Sequence, residues 1–186
     1  MPEGFGEFSG NPKTEWLVES GDDRKMKLLE DFWYEDPDGN RWIAVRDAVI
    51  DGASIPSALW AIVGSPYTGD YRRASIVHDI ACNDQTISRK AADVMFYYAC
   101  LAGGCSRSQA QLLYAGVRIG AWTAAFSNWP YESFSFLDEV EEDYSSISSS
   151  DVQKKFYEIA AELESQEEPL SFESVDGIVE KHLTFR

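Results

Sequence analysis

Basic residues are scarce in this chain: 16 Lys and Arg stand against 32 Asp and Glu in 186 residues, a formal charge of -16. A field of that sign repels phosphate backbones and anionic membrane surfaces, so free nucleic acid is excluded as an expected partner, and cations or basic protein surfaces fit better. The deficit is uneven. Residues 130–186 hold 15 acids against 4 bases, whereas residues 1–129 hold 17 against 12, which makes the acidity a property of the C-terminal part. Cysteine is also sparse. Cys82, Cys100 and Cys105 are odd in number and form no CxxC pair, so neither a disulfide framework nor a zinc ribbon is indicated, and a reducing compartment is the simpler expectation. Long apolar runs are missing too, because Asp93 and Arg118 break the longest stretches well short of the roughly 18 residues that a membrane span needs. The opening MPEGFGEFSG has neither the basic nor the apolar region of a secretory signal. The expectation is a protein without a membrane span and not secreted by a signal peptide.

What is present is a globular composition, 44% hydrophobic and 13% aromatic with six Trp, enough for one core domain plus an extension. The expected organisation is a flexible arm at 1–15, a core domain at 16–129, an aromatic, acidic and Ser-rich linker at 130–150, and an acidic helical tail at 151–186. The runs RKMKLLEDFWYED and RWIAVRDAVID flank the turn signal PDGN and predict a β-hairpin. Gly52 and Pro56 end the second strand, and Ser54 or Ser57 is placed to cap a short helix near Pro56. A helix over about 70–83 puts Ala74, Val77 and Ala81 on one side with His78 and Cys82 beside them. Ser88 caps a second helix that stops at Gly103-Gly104, and Ser106 or Ser108 caps a third in which Leu112, Ala115, Ile119 and Trp122 line one face. In the tail, Phe156, Ile159, Ala160 and Leu163, then Phe172, Val175, Val179 and Leu183, form two amphipathic stripes. The fold class expected is α+β: a small antiparallel sheet or hairpin packed on three main helices, with C-terminal amphipathic helices.

The stretch ASIVHDIACNDQTISRKAADVMF carries the chemistry-bearing groups. His78 and Asp79 are consecutive on a helix and diverge by about 100°, so they serve different directions. The short loop at 84–87 folds the next helix back antiparallel, which brings Asp93 within reach of the imidazole. Asp93 then fixes the tautomer while His78 acts as general base. Asp51, at the end of the hairpin, joins Asp79 as a hard oxygen ligand suited to Ca²⁺ or Mg²⁺. The same four groups equally suit a structural network that satisfies loop amides, with Arg89 pairing Asp93 at i+4. Both readings stand on the sequence. His78 and Cys82 at i and i+4 supply half of a zinc site, although Cys82 also fits as a small core residue. GxSxG and GxxxxGK[ST] are absent, and His182 reads as a solvated partner of a helix dipole.

In series, DGASIP, GSPYTGDYRRASIVHD, SRKAADVMF and LLYAGVRIGAW resemble the phage and prophage family known as domain of unknown function 1353, over roughly residues 25–125. In that family an Asp-Gly-Ala-Ser-Ile-Pro segment precedes an Ala-x-x-x-His-Asp helix and an Arg-x-x-Ala-Asp-x-x-Phe helix. The resemblance carries over onto Asp51, Gly52, Ser54, Pro56, His78, Asp79, Arg89, Asp93 and Phe96. It implies a viral origin, in host cytoplasm or virion, without implying an activity. Two departures bear on the pocket: the strand ends in DAVID instead of Gly-Phe-x-Thr-Asp, and Ala81-Cys82 follows the His-Asp pair where Tyr or Leu is usual. The His-Asp helical core is also similar to prokaryotic phospholipases of the A-two type. That similarity implies His78 activating water, Asp79 on Ca²⁺ and Asp93 orienting the imidazole, without the disulfide scaffold. Two functions follow as expectations: a cation-assisted hydrolase, or a non-enzymatic virion or assembly protein that meets a protein partner through residues 126–186.

Overall fold

The computed structural model describes residues 4–18, 25–65, 68–127 and 147–183. The fold is α+β, with two three-stranded antiparallel sheets and six α-helices among the described residues. The chain divides into two compact units, Met1–Ala53 with Ser65–Ala110, and Ser54–Gly64 with Gln111–Arg186. No helix among the described residues is long and apolar enough to cross a membrane.

In the first unit, one sheet joins β1 (Glu7–Phe8), β4 (Phe32–Glu35) and β5 (Arg41–Ala44), and the other joins β2 (Thr14–Trp16), β3 (Met26–Leu28) and β6 (Val49–Ile50). PDGN closes the β4–β5 hairpin, with Phe32 opposite Ala44 and Glu35 opposite Arg41. The Asp36 carboxylate holds the turn, accepting the Asp38 and Asn40 amides at 3.0 and 2.9 Å and the Trp42 indole N–H at 3.0 Å, the way Asp side chains stabilise turns generally. Along β4 the pleat buries Phe32 and Tyr34 and leaves Trp33 and Glu35 half-buried.

The run RKMKLLEDFWYED holds two strands where the sequence pattern predicts one. β3 pairs with β2 and β6, and only β4 pairs with β5. Between the two pairings the ribbon bends: Asp31 Oδ1 accepts the Arg46 amide at 2.7 Å, and Asp47 adopts a φ of 67°. A break made by aspartates carries no Gly or Pro signal. The opening segment, read as a flexible arm, contributes an edge strand to each sheet. Phe8 anchors it, stacking on Phe32 at 5.7 Å between ring centroids under the Arg73 guanidinium at 4.5 Å.

Two helices complete this unit. α2 (Arg72–Asn83) packs against β4, β5, β6 and α3, and α3 (Arg89–Gly103) packs against β1 as well. Ser88 caps α3 as the sequence predicts, its hydroxyl accepting the Ala91 amide at 3.1 Å. Gly104 ends the helix in the left-handed conformation at φ 109°, where a Cβ is penalised.

In the second unit, a 3-10 turn at Ser57–Leu59 runs into α1 (Trp60–Val63). Neither Ser54 nor Ser57 caps it. The helical stretch starts from Pro56, whose φ of -52° is already close to helical, without a side-chain cap. α4 (Arg107–Ser127) enters this unit at Gln111. Residues 113–121 are buried without interruption, while Leu112 and Trp122 are half-buried, so the helix is enclosed on all sides instead of along one stripe. α5 (Ser149–Glu164) starts with a reciprocal capping box between Ser148 and Asp151, and α6 (Phe172–His182) starts with Ser171 on the Ser174 amide. Phe156, Ile159, Ala160, Leu163, Val175, Val179 and Leu183 are buried, and Phe172 is half-buried. Both stripes find cover within the unit. Tyr114 meets the Phe172 ring edge-on at 5.3 Å and bonds Asp176 at 2.5 Å, Arg118 pairs with Glu180 at 2.8 Å, and Gln153 donates to the Ala58 carbonyl at 3.0 Å. The linker expected at 130–150 falls mostly outside the described residues, as does the aromatic stretch expected as contact surface from Phe126 to Phe136, apart from the helical backbone of 126–127.

Candidate functional site

α2 and α3 form the antiparallel hairpin that the spacing of His78 and Asp93 requires. His78 Nε2 donates to Asp93 Oδ1 at 2.8 Å, and both side chains have zero exposure. Arg89, one turn before Asp93, places its Nε at 3.0 Å from the same oxygen. Phe96, on the next turn, lays its ring against the imidazole with centroids 4.7 Å apart. A buried charge is tolerable only when paired and hydrogen-bonded, and this carboxylate is held by two cationic partners.

Cys82 completes the group. Its Sγ lies 3.4 Å from His78 Nε2 and 3.8 Å from Nδ1, one helical turn along α2, and the residue is half-buried. Burial alone pushes the imidazole pKa down, but the Cys82 sulfur and Asp93 outweigh it and raise His78 to about 9. The complementary shift appears on the sulfur. Burial favours the neutral thiol, yet the His78 charge and contact, together with Arg89, hold Cys82 below its ordinary value. Each shift favours the charged form of its group, the imidazolium of His78 beside the Asp93 carboxylate and the thiolate of Cys82 beside the imidazole.

Asp79 turns the other way, as consecutive helical residues must. Its Oδ2 accepts the Asp51 backbone amide at 2.9 Å, pinning the end of β6 to α2. Burial first, then the nearby Asp51 charge, push the Asp79 carboxyl well above the usual carboxylate range, against the opposing pull of the amide and of His78. The side chain is 4% exposed. The four residues singled out from sequence are therefore two pairs, His78–Asp93 and Asp79–Asp51, on two sides of one helix. The oxygen pair has donors of the type that hold Ca²⁺ or Mg²⁺, although one Asp79 oxygen is engaged by main chain. Sequence reasoning set Cys82 aside as a core residue. Its i+4 spacing from His78 was the available signal, and that spacing serves packing and bonding alike.

Among known proteins, residues 26–117 match the family model described as Protein of unknown function (DUF1353). This supports, for that stretch, the resemblance carried by the DGASIP, His-Asp and Arg-x-x-Ala-Asp motifs. Two curated relatives come from Sinorhizobium fredii (strain NBRC 101917 / NGR234). Uncharacterized protein y4jT is 38% identical over 116 residues, 61% of this chain and 33% of its own length. Uncharacterized protein y4iH is 38% identical over 102 residues, 54% of this chain and 43% of its own. The chain thus spans less than half the length of these relatives. No solved structure matches the chain significantly.

Proposed function

We propose that this chain is a non-enzymatic structural or assembly component of phage origin, in which the His/Asp network fastens the α2–α3 hairpin and the acidic C-terminal part, residues 130–186, meets a basic protein surface. The observation that carries the reading is the closure of His78 and Asp93: both are fully buried, bonded to each other, with Arg89 on the carboxylate. A general base must come within hydrogen-bond reach of the proton it abstracts, and an imidazole enclosed in this way meets protein, not substrate. The phage origin rests on the family resemblance. The basic partner rests on charge, 15 acids against 4 bases in residues 130–186, with both apolar stripes already covered inside the second unit.

The test compares His78→Ala and Asp93→Asn with the parent chain. Both variants are expected to lower the melting temperature. The parent chain is expected to show no turnover of ester, phosphodiester or peptide substrates with Ca²⁺ or Mg²⁺ present. Cation-dependent turnover that vanishes in His78→Ala at unchanged melting temperature would overturn the proposal and establish the hydrolase reading in its place.

A further inference from the structure

The hairpin cluster contains one more donor than a fastening needs. We infer that His78, Cys82 and Asp93 form a three-ligand site for a borderline-soft divalent transition metal of the zinc class, with its fourth position on the Cys82 side. Their donor atoms all lie within 4.8 Å of one another, with 2.8 Å between imidazole nitrogen and carboxylate oxygen and 3.4 Å between sulfur and nitrogen. Zinc bonds of about 2.0–2.3 Å at tetrahedral angles put ligand atoms about 3.3–3.7 Å apart. A metal ion therefore needs the three donors to shift by less than the width of an atom.

The fold explains why these donors meet. His78 and Cys82 lie one turn apart on the same face of α2, the arrangement that lets one helix supply two ligands, and the turn at 84–88 returns Asp93 from α3. The chemistry of the set selects the metal. One sulfur, one imidazole nitrogen and one carboxylate oxygen favour zinc or cobalt over calcium or magnesium, which separates this site from the all-oxygen Asp51–Asp79 pair. Cys82 is the only one of the three with solvent exposure, so it marks the route of entry and the place where a water completes four-coordination.

The accounting of protons and charge closes. On binding, His78 coordinates as neutral imidazole and Cys82 as thiolate, and the protons they give up pass to solvent. The Cys82 and Asp93 charges neutralise the dication. Arg89 remains on Asp93, because a carboxylate oxygen bonded to a metal keeps a lone pair for an outer partner, and such partners orient the ligand.

This inference goes beyond the fastening role and fails separately from it, since a hairpin that binds no metal is still a hairpin. The experiment is titration of the full chain, freed of metal by a chelator, with Co²⁺ followed by Zn²⁺. Expected are one cobalt per chain, a thiolate-to-cobalt charge-transfer band with four-coordinate ligand-field absorption, and displacement of cobalt by zinc. Cys82→Ala, at a half-buried position, is expected to fold with a parent-like circular dichroism spectrum and to lose the band. Asp93→Asn is expected to weaken cobalt at least about tenfold, while the Cys100→Ser and Cys105→Ser double variant keeps the band. Absence of the thiolate band in the parent chain, its persistence in Cys82→Ala, or displacement of cobalt by Ca²⁺ would each sink the site.

Discussion

At the scale of single residues, Asp93 ties the hairpin together, because His78 and the partly exposed Arg89 converge on one oxygen of its fully buried carboxylate. Removing one partner of a buried ion pair leaves an uncompensated charge and costs about 3–5 kcal/mol, whereas keeping a hydrogen-bonding oxygen costs less. Asp93→Ala is therefore expected to lower stability by about 3–5 kcal/mol and Asp93→Asn by a smaller amount. Urea unfolding checks this through a falling midpoint at constant slope; equal losses in the two variants would mean that charge contributes nothing at this position. The His78–Asp93 bond was legible in the sequence because helix periodicity and a short loop leave an imidazole few other partners. The divergence of Asp79 was legible for the same geometric reason. Its acceptor role was legible as a kind, a carboxylate satisfying a loop amide, but not that the donor is the amide of Asp51 itself, since a backbone donor has no letter in the sequence.

At the scale of elements, α4 carries two glycines with opposite expectations. A Cβ built on Gly116 meets Ile55 Cγ2 at 3.4 Å, an ordinary contact, whereas one built on Gly120 falls 2.3 Å from the Ser54 carbonyl oxygen. Alanine improves helix propensity by about 1 kcal/mol over glycine at either place, and only at Gly120 does a backbone clash outweigh that gain. Gly116→Ala is expected to hold or raise the melting temperature and Gly120→Ala to lower it; a gain at Gly120 would show that the 54–56 segment yields freely. The cap at Ser88, the hairpin turn and both tail stripes could be read in advance, because capping chemistry and amphipathic period are local. β1 and β2 could not be read: strands of two and three residues are too short to show a period, and they exist only because β4 and β3 offer them partners. The enclosure of α4 on all sides was equally unreadable, since a mixed apolar helix does not announce how many neighbours will surround it.

At the scale of the whole chain, the family match ends at residue 117, within α4, while the second unit draws on residues as late as Glu180. Truncation after residue 129 removes Asp176 and Glu180, the partners of Tyr114 and the buried Arg118, along with the apolar cover from α5 and α6. The truncated chain is expected to bind the dye ANS strongly and to aggregate, where the full chain does neither, because it exposes an apolar helix from which the Glu180 carboxylate has been taken away. Low dye binding by the shortened chain would mean that the acidic helices are an ornament to the core. The assignment of residues 54–64 to the same unit as residues 111–186 had no signature in composition, for compactness is a property of distance in space and not of neighbourhood along the chain.

That division has a consequence during synthesis. Ala58 and Gln153 are bonded at a sequence separation of 95, so on the ribosome the segment after β6 emerges early and waits for helices that are translated last. The first unit can close around its own residues while this excised loop is still without a mate. A nascent chain stalled anywhere between α3 and α5 therefore presents a finished half and an orphaned one, and the orphaned half is where a chaperone would take hold.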